Sequence, residues 1–168
     1  MDPKPQQADA CVRGGDVIIH TDGACLGNPG PGGFAAVLEC NGKSREIFAG
    51  YRRTTNNRME LLAVIEALGS LTQSCGVELY TDSKYVGDAV EKGWLKSWRR
   101  NGWKTAAKTP VKNQDLWRRL MPLLETHKVR FHWLRGHAGH AQNERCDVLA
   151  KTAATAGGLL RDEGYETT

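Results

Sequence analysis

At 168 residues, with 40% hydrophobic and 25% charged side chains, the chain has the size and composition of one globular domain. No apolar run approaches the ~20 residues of a membrane-spanning helix, and the first fifteen residues lack the apolar stretch of a secretion signal. The formal net charge of +4 is unevenly spread: Lys92, Lys96, Arg99, Arg100, Lys104, Lys108 and Lys112 follow one another with no acid between them, leaving 16 basic and 19 acidic residues elsewhere. A mildly acidic body with one basic segment points to a localised polyanion contact.

In chain order, residues 1–15 read as a polar, disordered leader. DVIIHTDGAC (16–25) begins as a β-branched strand and ends in an acid and a turn. GFAAVLEC (33–40) and SREIFAGYR (44–52) flank Asn41-Gly42-Lys43, a strong hairpin signal, so the opening predicts a three-stranded antiparallel meander. NNRMELLAVIEALGSL (56–71) is the clearest helix, with Leu61, Val64, Ile65, Leu68 and Leu71 at helical spacing. A strand at 77–82, helices at about 84–91 and 94–101, and a loop near Thr109-Pro110 follow. A helix at 115–127 (with Pro122 inside it), a strand at 129–134 and a helix at 140–156 complete the domain. The segment 157–168 reads as a flexible tail. The predicted fold is α/β, a five-stranded mixed sheet flanked by helices, spanning 16–156 with a basic protrusion at about 92–112. Cys11, Cys25, Cys40, Cys75 and Cys146 are odd in number and scattered; they argue against a disulfide framework and for a reducing, cytoplasmic setting.

Four acids sit on the edges of this apolar framework. Asp22 and Asp82 end strands, and ligands of α/β sheets gather at the carboxyl ends of parallel strands. Glu60 lies between Met59 and Leu61 in the main helix, and Asp147 just before Val148 and Leu149 in the last. Buried carboxylates are expensive unless compensated: at 4 Å and an effective dielectric of 20, each like-charged pair costs roughly 4 kcal/mol. Oxygen-only ligands favour Mg²⁺ or Mn²⁺ over zinc, and two such ions can drive phosphodiester hydrolysis. Singly, each acid has a plain structural explanation: a strand-end Asp is often a turn residue, and an acid near a helix start favours the dipole. A zinc site from His137, His140 and Cys146 has short spacing and no obvious fourth ligand.

The flanking motifs are TDGACLGNPGPGG (21–33), TTNNRMELLAVIEAL (54–68), YTDSKYV (80–86) and WLRGHAGHAQNERCDVLA (133–150). Together, from about Asp16 to Ala154, they closely resemble type 1 ribonuclease H in the bacterial form with a basic protrusion. The resemblance implies a ribonuclease H-like fold and an endonuclease that cuts the RNA strand of RNA–DNA hybrids with two Mg²⁺ ions, leaving 5′-phosphate and 3′-hydroxyl ends. It further implies a cytoplasmic monomer with no membrane partner. Asp22, Glu60, Asp82 and Asp147 match the family's metal-binding acids, and His137, between Gly136 and Ala138-Gly139, its mobile histidine. Gly23 and Cys25, through their backbones, with Asn28, Asn56 and Asn57, match contacts to the hybrid; Arg53 and Thr55 match a pocket for a DNA phosphate. Two departures stand out. Lys84 replaces a Gln common in the family near the minor groove, and GDAVEKG (87–93) is one residue longer than in the best-known members.

Between its flanking glycines His137 can swing and, with an ordinary pKa near 6.5, move a proton near neutrality; its plain alternative is a surface loop histidine. Trp94, Trp98 and Trp103 interleave the basic segment, where packing the protrusion onto the body is the simplest role for most of them. Trp94, Lys96, Arg99, Arg100 and Lys104 are expected to grip substrate, because clustered like charges need an anion. Two rival readings remain at this level: a DNA resolvase or transposase-type nuclease, and a non-catalytic hybrid-binding module. Four repelling carboxylates argue against the pure binder.

Overall fold

The computed structural model describes residues 16–135 and 140–167. Strand β1 (Val17–Cys25), β2 (Gly30–Cys40) and β3 (Lys43–Thr54) form the expected antiparallel meander. Its β2–β3 hairpin closes at Asn41-Gly42, both at positive φ, with Cys40 opposite Lys43; such a turn matches the twist of the flanking strands. Helix α1 (Asn56–Gly69) follows, then β4 (Gly76–Thr81), α2 (Lys84–Glu91) and α3 (Trp94–Arg100). Helix α4 (Gln114–Thr126) runs on through Pro122, and β5 (Lys128–Trp133), α5 (Ala141–Thr155) and the short α6 (Glu163–Glu166) complete the order. The sheet order is β3-β2-β1-β4-β5, with β4 parallel to both β1 and β5. This is the mixed five-stranded sheet read from the pattern.

Helices cover both faces. The main core joins Ile19, Phe34, Val77 and Leu79 of the sheet to Met59, Leu61, Val64 and Leu68 of α1 and Leu116, Trp117 and Leu120 of α4. A smaller core on the other side holds Ala35, Val37, Cys146, Leu149 and Ala150 under α5. Helix α5 lies close because the sheet beneath it has no side chain in its way. A Cβ at Gly33 would stand 2.2 Å from the Ala150 carbonyl oxygen, and one at Gly50 2.0 Å from that of Ala153.

Two expectations need correction. Composition gave no reason to order the chain after Gly157, yet residues 157–167 are fixed to the body. Leu160 exchanges backbone hydrogen bonds with Gly50 and Arg52 (both 2.9 Å), and Asp162 is buried. The physical cause is a set of long-range contacts that composition cannot reveal: the Leu160 backbone bonds to β3, the buried Arg58–Asp162 pair and the Arg52–Glu166 pair. Cys25, Cys75 and Cys146 are free thiols, but Cys40 is disulfide-bonded. No helix among the described residues is long and apolar enough to cross a membrane.

Candidate active site

The register of β1 against β4 pairs His20 with Tyr80, so two residues further along each strand stand Asp22 and Asp82. Helix α1 brings the third acid. Its start is pinned by Thr55, whose side chain accepts from the Arg58 N–H (3.3 Å), and by Asn28, whose Oδ1 accepts from the Asn56 N–H (3.1 Å). Both satisfy amides that a helix start leaves orphaned. Glu60 then sits one turn in, pressed against Gly23. One ligand oxygen from each of Asp22, Glu60 and Asp82 lies within 4.8 Å of the others.

Asp22 and Glu60 are almost wholly buried, at 2% and 4% exposure, and Asp22 Oδ2 and Glu60 Oε2 have no hydrogen-bond partner among the described residues. Asp22 Oδ1 accepts from the Gly23 N–H, at 3.0 Å. Burial first, then the charges of Asp82 and Asp147 and a hydrogen-bonding contact with Asp147, push the Asp22 carboxyl up to about 8. Burial, followed by Asp22 and Asp82, raises Glu60 well above the carboxylate range. Asp147 reaches Asp22 from α5, stands outside the group of three, and pairs with Lys151 Nζ at 2.9 Å. Two orphaned, buried carboxylate oxygens in an all-oxygen cluster fit a hard divalent cation. The thiol of Cys146 does not fit a zinc site: it is fully buried, donates to the His20 carbonyl (3.3 Å), and burial pushes its pKa up to about 12.

The expected substrate contacts fall into two places. Asn28, Thr55 and Asn57 form one wall of a groove of about 630 Å³ whose other wall is Pro110, Val111, Lys112 and Asn113, at the exit of the basic segment. Asn56 and Arg53 are exposed beside it. Gly23 and Cys25 lie on β1, and the Cys25 thiol points to the carbonyls of Gly27 (3.1 Å) and Thr54 (3.5 Å). Around the protrusion, Lys96, Arg99, Arg100 and Lys104 are exposed, with Arg99 paired to Glu125 at 3.0 Å. Trp94 is 42% exposed, whereas Trp98 packs at a tilt against the buried Trp117 (centroids 5.5 Å apart) and holds the protrusion onto the core. Lys84 sits over the Trp133 ring at 4.6 Å. His137 lies outside the described residues.

Three features escaped the sequence reading. Trp133 donates its indole N–H to the Asp82 carbonyl (3.1 Å); its place at the end of a strand next to an acid was the available signal. Asn143 is fully buried without a side-chain partner among the described residues, and its i,i+4 spacing from Asp147 would have flagged it. Arg58 and Asp162, 104 residues apart, left no local signal at all.

A mixed sheet that brings two carboxylates from the ends of parallel strands against a third on α1 defines an α/β architecture with a site suited to a divalent metal ion. The sequence model described as RNase H matches residues 14–155. The chain is 69% identical to the ribonuclease H of Nitratidesulfovibrio vulgaris (strain DSM 19637 / Miyazaki F) over 150 residues, 89% of this chain and 96% of that one. It is 58% identical to the ribonuclease H of Pseudoalteromonas atlantica over 150 residues, 89% and 97% of the two chains. LC9-RNase H1, a solved type 1 RNase H with the type 2 active-site motif, is similar at a TM-score of 0.74 and 38% identity, covering 91% of this chain and 80% of that one. LC11-RNase H1, solved in complex with an RNA/DNA hybrid, shares the fold at a TM-score of 0.64 and 24% identity, over 82% and 96%. The chain belongs to the RNase H family, in its type 1 form, and is a ribonuclease H enzyme.

Proposed function

We propose that this ribonuclease H is an endonuclease that hydrolyses the RNA strand of RNA–DNA hybrids at a centre of Asp22, Glu60, Asp82 and Asp147. In this reading the acids hold two Mg²⁺ ions, for which Mn²⁺ can substitute, and the products carry 5′-phosphate and 3′-hydroxyl ends. The observation that carries it is the close group of Asp22, Glu60 and Asp82 with its orphaned carboxylate oxygens. Bound there, two divalent ions supply a Lewis acid and an activated water for in-line displacement.

The chain's own residues do the remainder. Asp22 and Glu60, buried on β1 and α1, form the rigid floor, and the Gly23 N–H orients the Asp22 carboxylate. Asp82 is half-buried and Asp147 lies further out, so both reach the side from which substrate enters. Asn28, Thr55 and Asn57 line a groove suited to sugar and phosphate oxygens, because A-form-like duplexes present 2′-hydroxyls across a wide, shallow minor groove. Lys84, Trp94 and the basic residues 96, 99, 100 and 104 add attraction for the backbone. His137 moves a proton at the leaving oxygen; replacing it lowers kcat more than metal affinity. Hybrid binding by a solved protein of this fold supports the choice of substrate. Free thiols at Cys25, Cys75 and Cys146 support a cytoplasmic setting, and the Cys40 disulfide speaks against it.

The test is Asp22→Asn. Mg²⁺-dependent cleavage falls by at least three orders of magnitude while hybrid binding persists. Retained turnover contradicts the assignment, and loss of both would show only that the fold has failed, which circular dichroism of the same sample decides.

A further inference from the structure

The geometry points to an extension of the backbone-phosphate contact expected at Arg53, resting on the proposed nucleic-acid substrate, in which Arg161 of the C-terminal segment and Arg52 of β3 add their guanidiniums to that contact. These three guanidiniums, with Tyr165 and Glu166, line an open pocket of about 490 Å³. Arg53 immediately precedes Thr54-Thr55, so the pocket adjoins the groove lined by Asn28, Thr55 and Asn57.

The placement of Arg161 is fixed by its neighbours. Leu160 on one side bonds to the backbone of β3 at Gly50 and Arg52 (2.9 Å each). Asp162 on the other is 5% exposed and clamped by Arg58 Nε (2.7 Å), Arg58 Nη2 (2.9 Å) and the Thr54 hydroxyl (2.7 Å). A residue held between two such anchors cannot drift from the site. Glu166, its side chain only 12% exposed, completes the arrangement: it receives Arg52 through both carboxylate oxygens and Arg161 Nε at 3.0 Å.

The charge balance is what calls for a ligand. Two carboxylates face three guanidiniums: Glu166 takes Arg52 and Arg161, Glu163 (73% exposed) stands 3.8 Å from Arg161, and Arg53 has no ion pair among the described residues. Arg52 and Arg161 remain 58% and 47% exposed, so their unused N–H groups face solvent rather than protein. Guanidinium forks match the oxygens of a phosphodiester and are weakly hydrated, which suits them to a backbone phosphate. A carboxylate beneath and three guanidiniums around an open pocket hold an anion in place while limiting how tightly it is trapped. The Leu160 backbone bonds and the Arg58–Asp162 pair already pin the tail, so holding it in place does not require Arg161.

The experiment uses the full chain in EDTA, which stops cleavage, and a fluorescent RNA–DNA hybrid of about 20 base pairs, with Kd measured across a range of salt concentrations. Arg161→Gln should flatten the slope of log Kd against log salt by about 0.9, the value for one lost phosphate contact, and Arg161→Lys should keep most of it. In Mg²⁺ turnover Arg161→Gln should raise KM and leave kcat unchanged, because a remote phosphate contact binds substrate and transition state alike. Arg130→Gln is the control: Arg130 lies on β5, 69% exposed and paired to Glu78, and its removal costs the same charge elsewhere. An Arg161→Gln slope equal to wild type overturns the subsite, as does an equal fall in Arg130→Gln. Wild-type protein that fails to bind hybrid overturns the substrate reading and the subsite together; wild type that binds while Arg161→Gln is indistinguishable overturns the subsite alone.

Discussion

Gly23 and Glu60 are in such close contact that a Cβ on Gly23 would stand 2.5 Å from the Glu60 backbone nitrogen. The missing side chain is what lets α1 settle onto β1 and brings the Glu60 carboxylate beside Asp22. The same Cβ would also meet the Met59 carbonyl carbon at 2.7 Å, and backbone atoms cannot step aside as a flexible side chain can. Gly23→Ala is therefore expected to cost about 1–3 kcal/mol of stability, the range for overpacking, and to weaken divalent-ion binding by spreading the acids. Urea unfolding and a Mg²⁺ titration of the same variant check both effects; an unchanged ion affinity would separate the helix position from the site.

The proton on Asp22 makes the metal-free protein sensitive to pH. Folded Asp22 holds its proton up to about 8 because burial and neighbouring acids disfavour its charge, whereas an unfolded chain releases it near pH 4. Folding takes up a proton across that window, so stability in EDTA falls as pH rises from about 4 to 8. The loss amounts to a few kcal/mol, since each tenfold change in proton affinity is worth about 1.4 kcal/mol. Mg²⁺ replaces the proton, so the rise in Tm on adding Mg²⁺ should grow with pH. In Asp22→Asn the EDTA profile should become shallower, with Glu60, raised chiefly by its burial, keeping a slope of the same sign; a wild-type Tm that is flat between pH 5 and 8 would contradict the account.

Arg58 is locked between Asp162 (2.7 Å) and Asp115 (2.7 Å), its side chain only 3% exposed. Asp162→Ala removes one carboxylate and leaves the guanidinium half-compensated in a buried place. The expected loss is about 3 kcal/mol, the lower range for breaking a buried pair. Removing residues 158–168 should cost at least as much. Thermal unfolding of both variants tests this, and a truncated chain as stable as the full one would show that the tail adds nothing.

Lys84 opens α2 directly after the Asp82-Ser83 step and rests over the Trp133 ring. Lys84→Gln should weaken hybrid binding and flatten its salt slope by about one contact while leaving Mg²⁺ affinity unchanged. Trp133→Phe, which deletes the N–H donated to the Asp82 carbonyl, should instead lower kcat several-fold. Steady-state kinetics on the two variants separates grip from acid positioning; identical effects would merge the two roles.

Much of this was legible because it is local. Alternating apolar residues, the Asn41-Gly42 turn and the periodic run from Leu61 to Leu68 each announce an element within a few residues, and strand ends placed Asp22 and Asp82 together before any coordinates. Sequence patterns also separated the protrusion from the body, though not which tryptophan packs and which stays exposed. What stayed hidden depends on pairs far apart in the chain. Asp162 reads as one acid in a polar tail until Arg58 is seen beside it, and Arg161 reads as a stray charge until β3 brings Arg52 and Arg53 alongside. The resemblance reads Gly23 as a backbone contact to the hybrid, and only the packing of α1 shows why no side chain fits there.

The central claim is that the buried acids act through divalent ions on RNA paired with DNA. Its most direct test offers wild-type protein matched RNA–DNA, RNA–RNA and DNA–DNA duplexes, each with Mg²⁺ or with EDTA, and maps the product ends. The account predicts cleavage of the RNA–DNA duplex alone, confined to its RNA strand, only with Mg²⁺, with 5′-phosphate and 3′-hydroxyl ends. Cleavage that persists in EDTA, or that falls on the DNA–DNA duplex, would contradict it.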